Sequence, residues 1–123
     1  MPTSNEILYY AEPTPLECGQ AVLVMLTGRP IDEIRTVCGT DRETTLADMR
    51  KALMHYDIRF ENMRREADEK DDLPNVCLLS LETPRCWHWS LYAHGVFYDP
   101  EHGQSFDFPA CRRKYYWEIF EDE

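Results

Sequence analysis

Two short segments near the C-terminal half of the chain constrain the fold most. Trp87 to Ala93 and Val96 to Asp99 are rich in aromatic and apolar residues, and only His94-Gly95 separates them. Two extended segments joined by two residues, of which one is glycine, predict a β-hairpin with a tight turn. The pairing that follows from this turn sets Leu91 opposite Tyr98, so the hairpin predicts its own register.

Other segments extend the expected sheet. Asn75 to Leu81 is almost continuously apolar, which indicates a strand that is covered on both faces. Ile58 to Met63 alternates in polarity and is interpreted as a further strand, while Tyr115 to Phe120 fits either a strand or a helix. The highly charged residues 64–73 are expected to form a solvated loop or a short exposed helix.

Three helices are predicted ahead of this sheet. Cys18 to Leu26 has apolar residues at helical spacing and is stopped by Gly28, and a second short helix is expected at residues 30–37. The clearest helix covers Thr45 to Tyr56, where Thr45 followed by Asp48 resembles a capping box. Helices first and an antiparallel sheet afterwards predict the α+β class.

Composition and charge narrow the possible partners. The 123 residues are 43% hydrophobic, which predicts one domain over residues 1–123. A net charge of −10 disfavours nucleic acid and favours a protein or peptide partner, although acidity also simply promotes solubility. We expect no signal peptide at residues 1–10, no membrane span and a cytoplasmic location.

The cysteines indicate reduced thiols rather than disulfides. Their number is odd, their spacing is irregular, and no CxxC pair occurs. The only metal-like fragment is Cys86-Trp87-His88, which would need a further ligand from Cys77, Cys111 or His102, so no metal site is expected. The five cysteines are Cys18, Cys38, Cys77, Cys86 and Cys111.

One cysteine and one histidine stand out as candidates for chemistry. Cys18 opens the first predicted helix, where free N–H groups and the helix dipole stabilise a thiolate. The alternative for a single cysteine is a small buried apolar side chain. Among the four histidines, His88 lies on a predicted strand between two tryptophans that shield it from water.

The hairpin brings a carboxylate to this histidine. Because side chains alternate along a strand, His88, Ser90 and Asp99 are expected on one face, with His88 and Asp99 as diagonal neighbours. Asp99 can then bind one imidazole nitrogen and leave the other for the Cys18 thiol, as a nucleophile–base pair requires. The alternative is a structural His–Asp pair on a sheet.

These segments together resemble a known family. Residues 18–21 (Cys-Gly-Gln-Ala) open a helix, residues 88–92 (His-Trp-Ser-Leu-Tyr) lie on a strand, and Asp99-Pro100 closes the next strand. With residues 44–58, they resemble the papain-like bacteriocin-processing peptidases, the double-glycine group. The resemblance covers roughly residues 12–105 and depends on the order and spacing of motifs that are each short.

The resemblance implies a papain-like fold with helices packed on a small antiparallel sheet. It implies Cys18 as nucleophile, His88 as general base and then acid, and Asp99 as the residue that orients His88. A peptide or protein substrate would form an acyl-enzyme that water resolves, and no cofactor is needed. Trp87 and Trp89 are candidate walls of the substrate groove, with Tyr92 as a third, although core packing is the alternative for all these aromatics.

One position departs from the family pattern. The family has a glutamine six residues before the cysteine, whose amide donates to the oxyanion, whereas this chain has Glu12. Loss of one such donor typically costs about 10²–10³ in rate. Three explanations stay open: a protonated Glu12; the Cys18 backbone N–H together with Asn5, Thr14 or Gln20; or a domain that does not cleave.

Three functions are therefore compatible with the sequence. The first is a hydrolase of peptide or isopeptide bonds that uses a Cys-His-Asp triad. The second is a catalytically impaired papain-like domain that binds a peptide or protein, which Glu12 favours and the intact triad disfavours. The third is another thiol-based acyl reaction, such as deamidation or transglutamination.

Overall fold

A computed structural model describes residues 7–121 as three helices followed by one antiparallel sheet. The helices are α1 (Cys18–Thr27), α2 (Ile31–Cys38) and α3 (Leu46–His55). The strands are β1 (Arg65–Glu66), β2 (Val76–Glu82), β3 (Trp87–Ala93), β4 (Val96–Asp99), β5 (Gly103–Ser105) and β6 (Lys114–Glu118). They lie side by side in the order β1-β6-β2-β3-β4-β5. The predicted α+β class is confirmed.

Glycines after α1 and α2 and a capping box before α3 mark where the helices end and begin. Gly28 and Gly39 follow α1 and α2 with φ of 71° and 77°, a left-handed conformation that glycine adopts without steric cost. Thr45 and Asp48 form the predicted capping box at the start of α3. Within residues 7–121, no helix is long and apolar enough to cross a membrane.

The hairpin has the predicted register. Leu91 pairs with Tyr98 and Ala93 pairs with Val96. His94 and Gly95 form the turn with φ of 48° and 88°, respectively. Two consecutive positive φ values suit a two-residue hairpin turn, because their backbone twist matches that of the flanking strands.

Three other predictions need correction or completion. The strand predicted at residues 58–63 is wrong: only Phe60 forms a bridge, to Ile119, because the chain bends at the exposed residues Asn62 and Met63. The charged segment 64–73, predicted as a solvated loop or a short exposed helix, contains a 3₁₀ helix at Lys70–Asp72, which agrees with the second alternative, and also β1, which was not predicted. The ambiguous C-terminal segment is a strand, β6, and β5 was not predicted.

The sheet is covered on both faces. The three helices cover one face and form the larger core with Leu78 and Leu91 of the sheet. A smaller cluster covers the other face, where Leu79 and Leu81 of β2 pack with Phe97 and Tyr92. The prediction that β2 is buried on both faces is confirmed, since its adjacent residues point into different cores.

Candidate active site

Cys18 is the first residue of α1 and lies against β3. Its side chain is partly exposed, and the backbone N–H of Trp89 donates to Cys18 Sγ at 3.4 Å. The next residue, Gly19, permits this approach: a Cβ there would collide with Thr44 Oγ1 and lie 3.1 Å from Trp89 Cδ1. The glycine therefore allows the N-terminus of α1 to contact the strand that carries His88.

A buried ion pair anchors the residue before Cys18. Glu17 is only 1% exposed, and Arg35 of α2 binds both its carboxylate oxygens, at 2.7 and 2.9 Å. The Arg35 hydrogen bonds hold the pKa of Glu17 below its ordinary value against the effect of burial. Sequence reasoning missed this pair, because the two residues lie on different elements and no periodicity links them.

His88 and Asp99 form a close buried pair. The His88 Nε2 to Asp99 Oδ1 distance is 2.8 Å, and the side chains are 5% and 1% exposed. The Cys18 side chain interacts with the His88 ring and raises the pKa of the imidazole. The structure thus brings together the three residues that the sequence singled out, with His88 between the other two.

The local electrostatics favour an imidazolium beside a carboxylate. Burial lowers the pKa of His88, but its interactions with Asp99 and Cys18 outweigh that effect and raise the pKa to about 10. Burial raises the pKa of Asp99, but the hydrogen bond and charge of His88 lower it to about 2. A charged His88 is the partner that a Cys18 thiolate requires.

His102, which the sequence analysis named only as a possible metal ligand, is a further member of this cluster. Its Nδ1 lies 3.0 Å from the same Asp99 Oδ1, and its Nε2 lies 3.0 Å from Glu101 Oε1. It is half-exposed, unlike His88. The sequence offered one indication of this contact: His102 follows Asp99 by three residues and immediately precedes Gly103, the first residue of β5.

Glu12 lies at the edge of the cluster. Its backbone N–H donates to the carbonyl of Pro100 at 3.0 Å, and its buried Oε1 has no hydrogen-bond partner among the described residues. Burial raises the pKa of Glu12; the His88 charge opposes this, and Glu101 and Asp99 reinforce it. A raised pKa favours the neutral acid, which can donate a hydrogen bond.

The alternative oxyanion donors differ in whether their hydrogen-bonding groups are already engaged. The Gln20 side chain is buried and donates to the carbonyls of Thr40 and Arg42 at 3.1 and 2.7 Å, so it is a structural residue. The Thr14 hydroxyl donates to the carboxylate of Glu17 at 3.2 Å. Asn5 lies outside the described residues. The first N–H groups of a helix have no intrahelical acceptor, and this leaves the backbone of Cys18 as a donor.

A groove of about 490 Å³ opens over Cys18 and His88. Both candidate tryptophans line it, but they differ in exposure. Trp87 is 49% exposed, whereas Trp89 donates from Nε1 to the Thr44 carbonyl at 3.1 Å and packs on the core. Tyr92 is buried in the core on the other face of the sheet, so its suggested role as a groove wall is wrong.

The remaining cysteines differ from Cys18 in their surroundings. Burial raises the pKa of Cys38 to about 11, and it also raises the pKa values of Cys77 and Cys111. Cys86 is exposed at the rim of the groove. All five thiols are free, and Cys18 raises the pKa of His88, a histidine that is paired with a carboxylate.

Comparison with known proteins found neither a protein-family model that matches the chain nor a curated protein with significant sequence similarity to it. The chemistry of the site is therefore inferred from its geometry.

Proposed function

We propose that the protein is a cysteine peptidase-like hydrolase with a papain-like fold, which cleaves a peptide or isopeptide bond. The observation that carries the proposal is His88, whose ring contacts Asp99 on one side and Cys18 on the other inside an open groove. This is the arrangement of nucleophile, base and orienting acid that thiol hydrolysis requires.

The chemistry proceeds in two halves. The Cys18 thiolate attacks the substrate carbonyl carbon, and the C–N bond breaks as the His88 imidazolium transfers its proton to the leaving amine. Water then attacks the thioester, and neutral His88 accepts its proton. The C–S bond breaks, the carboxylic acid leaves, and the thiolate–imidazolium pair is restored. Asp99 stays ionised throughout and holds the ring in position through Nε2.

Stabilisation of the oxyanion is assigned to the backbone N–H of Cys18 and to Glu12 in its neutral form. Burial raises the pKa of Glu12, and its Oε1 has no partner within residues 7–121. A protonated carboxyl group supplies the donor that the family obtains from glutamine. An ionised Glu12 would instead repel the developing negative charge.

Glu12 also favours a second candidate function, a catalytically impaired domain that binds a peptide or protein. The charges of His88 and His102 lower the pKa of Glu12 and so favour its ionised form, against Asp99 and Glu101, which raise that pKa. If Glu12 ionises when substrate approaches, the groove binds an extended chain but does not stabilise the oxyanion. In either case the expected partner is a peptide or protein, with basic segments favoured by the chain's net charge of −10.

The proposed compartment is the cytoplasm. All five cysteines are free thiols. Reducing conditions preserve a catalytic thiol of this kind.

Exposure of the protein to a complex peptide library, with mass-spectrometric detection of new termini, tests the proposal. The native protein is expected to cleave a subset of peptides, and rapid quenching is expected to reveal an acyl adduct on Cys18. Cys18→Ala abolishes cleavage, and His88→Ala lowers kcat/KM by about 10²–10⁴. Cys86→Ala, at an exposed thiol on the rim of the same groove, is the matched control and retains activity.

Two results would contradict hydrolysis. Cleavage that persists in Cys18→Ala would place the chemistry elsewhere. Peptides that bind equally to native protein and Cys18→Ala, with no cleavage by either, would favour the binding domain.

A further inference from the structure

The Asp99 carboxylate has an unusual distribution of hydrogen bonds. Four donors converge on Oδ1: His88 Nε2 at 2.8 Å, His102 Nδ1 at 3.0 Å, and the backbone N–H groups of Glu101 and His102, each at 3.0 Å. The other oxygen, Oδ2, is buried and has no partner in the described part of the chain. Asp99 is thus crowded on one oxygen and unsatisfied on the other.

A second carboxylate oxygen nearby is in the same condition. Glu12 Oε1 is buried and unpartnered, and Glu12 interacts electrostatically with Asp99, His88 and His102. Buried carboxylate oxygens without partners are costly, and native proteins usually satisfy them with a donor, a water molecule or a cation. Glu101 is already paired with Arg85 at 3.5 Å, so the unsatisfied oxygens are those of Glu12 and Asp99, and a cation beside the two imidazoles would satisfy them.

We propose that His88, Asp99 and His102 form a zinc site, and that zinc bound there switches the hydrolase off. Their ligand atoms all lie within 4.8 Å of one another. Imidazole and carboxylate are ligands that Zn²⁺ binds well, whereas Ca²⁺ and Mg²⁺ prefer oxygen ligands alone. Zn²⁺ is therefore the expected cation, with Glu12 or water as a further ligand.

The ligand atoms, which now lie within 4.8 Å of one another, have to rearrange to admit the ion. Zn–N and Zn–O bonds of about 2.0–2.2 Å set tetrahedral ligand atoms roughly 3.3 Å apart. The imidazole nitrogens of His88 and His102 now lie 2.8 and 3.0 Å from Asp99 Oδ1, so these two separations grow by roughly 0.5 and 0.3 Å. His102 is 46% exposed and can adjust its position.

Zinc at this position would block the proposed reaction through His88. The metal would occupy Nε2, so the imidazolium that donates a proton to the leaving amine could not form. Cys18 would lose its charged partner without being a ligand itself. The inhibitory effect rests on the proposed function, whereas zinc binding at the three residues does not.

Calorimetric titration with Zn²⁺ and absorption spectroscopy with Co²⁺ test the site directly. The native protein and Cys18→Ala are expected to bind one ion with similar affinity, and Co²⁺ should show visible bands without the charge-transfer band of a thiolate ligand. His102→Ala and His102→Gln remove a ligand, so each should weaken binding by more than the roughly 10–100-fold that loss of a supporting residue costs.

A matched control is available on the same sheet. His94 is also part-exposed and lies 2.9 Å from the carboxylate of Glu121, but it has no second histidine partner in that pair. His94→Ala should bind Zn²⁺ as the native protein does. Inhibition of peptide cleavage by Zn²⁺, measured against each variant's own zinc-free rate, should be relieved by EDTA and weakened in the His102 variants.

The outcomes separate the two proposals. Absence of binding to the native protein, or binding that Cys18→Ala abolishes and the His102 variants retain, would overturn the zinc site. Binding that depends on His102 in a protein that cleaves no peptide would keep the zinc site and overturn the hydrolase. Cleavage that His102-dependent zinc leaves unchanged would overturn the switch.

Discussion

The two ends of α1 border cavities that differ in size and in the residues that line them. At the N-terminus, Cys18 opens into a groove of about 490 Å³ that contains His88. At the C-terminus, Val24 and Leu26 border a larger cleft of about 740 Å³, whose other walls include Tyr9 and Ile58. Its larger size favours the second cavity as a default binding site. The cluster of interacting titratable groups lies at the first, and this is the stronger indication of chemistry.

One extended segment links the two ends. The Tyr9 ring lines the larger cleft, while its hydroxyl donates to the backbone carbonyl of Asp99 at 2.6 Å. Further along, the Glu12 N–H donates to the carbonyl of Pro100. The same segment thus borders the apolar cleft and positions the end of the strand that carries Asp99. The comparison predicts that the cleft end contributes stability and the groove end contributes reactivity.

Leu26→Ala should have the largest effect on stability. Leu26 is fully buried beside the cleft, and its truncation is expected to lower the free energy of unfolding by about 2–5 kcal/mol. Chemical denaturation measures this loss, and alkylation of Cys18 in the folded variant should proceed at the native rate. A tenfold slower alkylation would break the division between the two ends.

Arg35→Ala should have the second-largest effect on stability. It leaves the buried Glu17 carboxylate without its bidentate partner, so we expect a loss of about 2 kcal/mol, less than the 3–5 kcal/mol of fully buried pairs because Arg35 is partly exposed. Arg112→Ala is the matched control, since Arg112 makes a similar bidentate contact with Glu82 at the surface. There the loss should stay below about 1 kcal/mol. Equal losses would show that burial of Glu17 contributes nothing.

Asp99→Asn should give a loss that depends on pH. Asp99 has a lowered pKa, so its contribution is present above the unfolded value near 4 and disappears as pH falls through about 2. His88 has a raised pKa, so its contribution is complete below the unfolded value near 6.5 and disappears as pH rises through about 10. We expect Asp99→Asn to lower the free energy of unfolding by about 1.5 kcal/mol at pH 5, and by less as the pH rises through the alkaline range. A loss that is constant from pH 5 to pH 10, measured by urea unfolding, would contradict the charged pair.

Tyr9→Phe should have the smallest effect on stability. It removes the hydrogen bond to the Asp99 carbonyl and should cost about 1 kcal/mol, while leaving the cleft wall in place. Tyr10→Phe, at the neighbouring residue that also lines the cleft, is the control and should cost less than half as much. Identical effects in thermal unfolding would remove the proposed link between the two ends.

The sequence carried more information on the hairpin than on its surroundings. A two-residue turn at His94-Gly95 sets the register, and the register places His88 and Asp99 on one face. Residues 58–63 show the limit of such reasoning, since Ile58 is buried as the alternation suggests, yet the chain bends at Asn62 and Met63 before a strand forms. Glu17, Arg35 and His102 could not be assigned, because their contacts depend on how separate elements and turns meet in space.

The most direct test of the account is the rate of iodoacetamide labelling, residue by residue, from acid to mildly alkaline pH. Cys86 is the internal reference, as an exposed thiol on the rim of the same groove. The account predicts that Cys18 reacts faster than Cys86 below neutral pH, and that His88→Ala slows Cys18 alone. Equal rates for the two thiols, or no effect of His88→Ala on Cys18, would contradict a reactive thiolate–imidazolium pair.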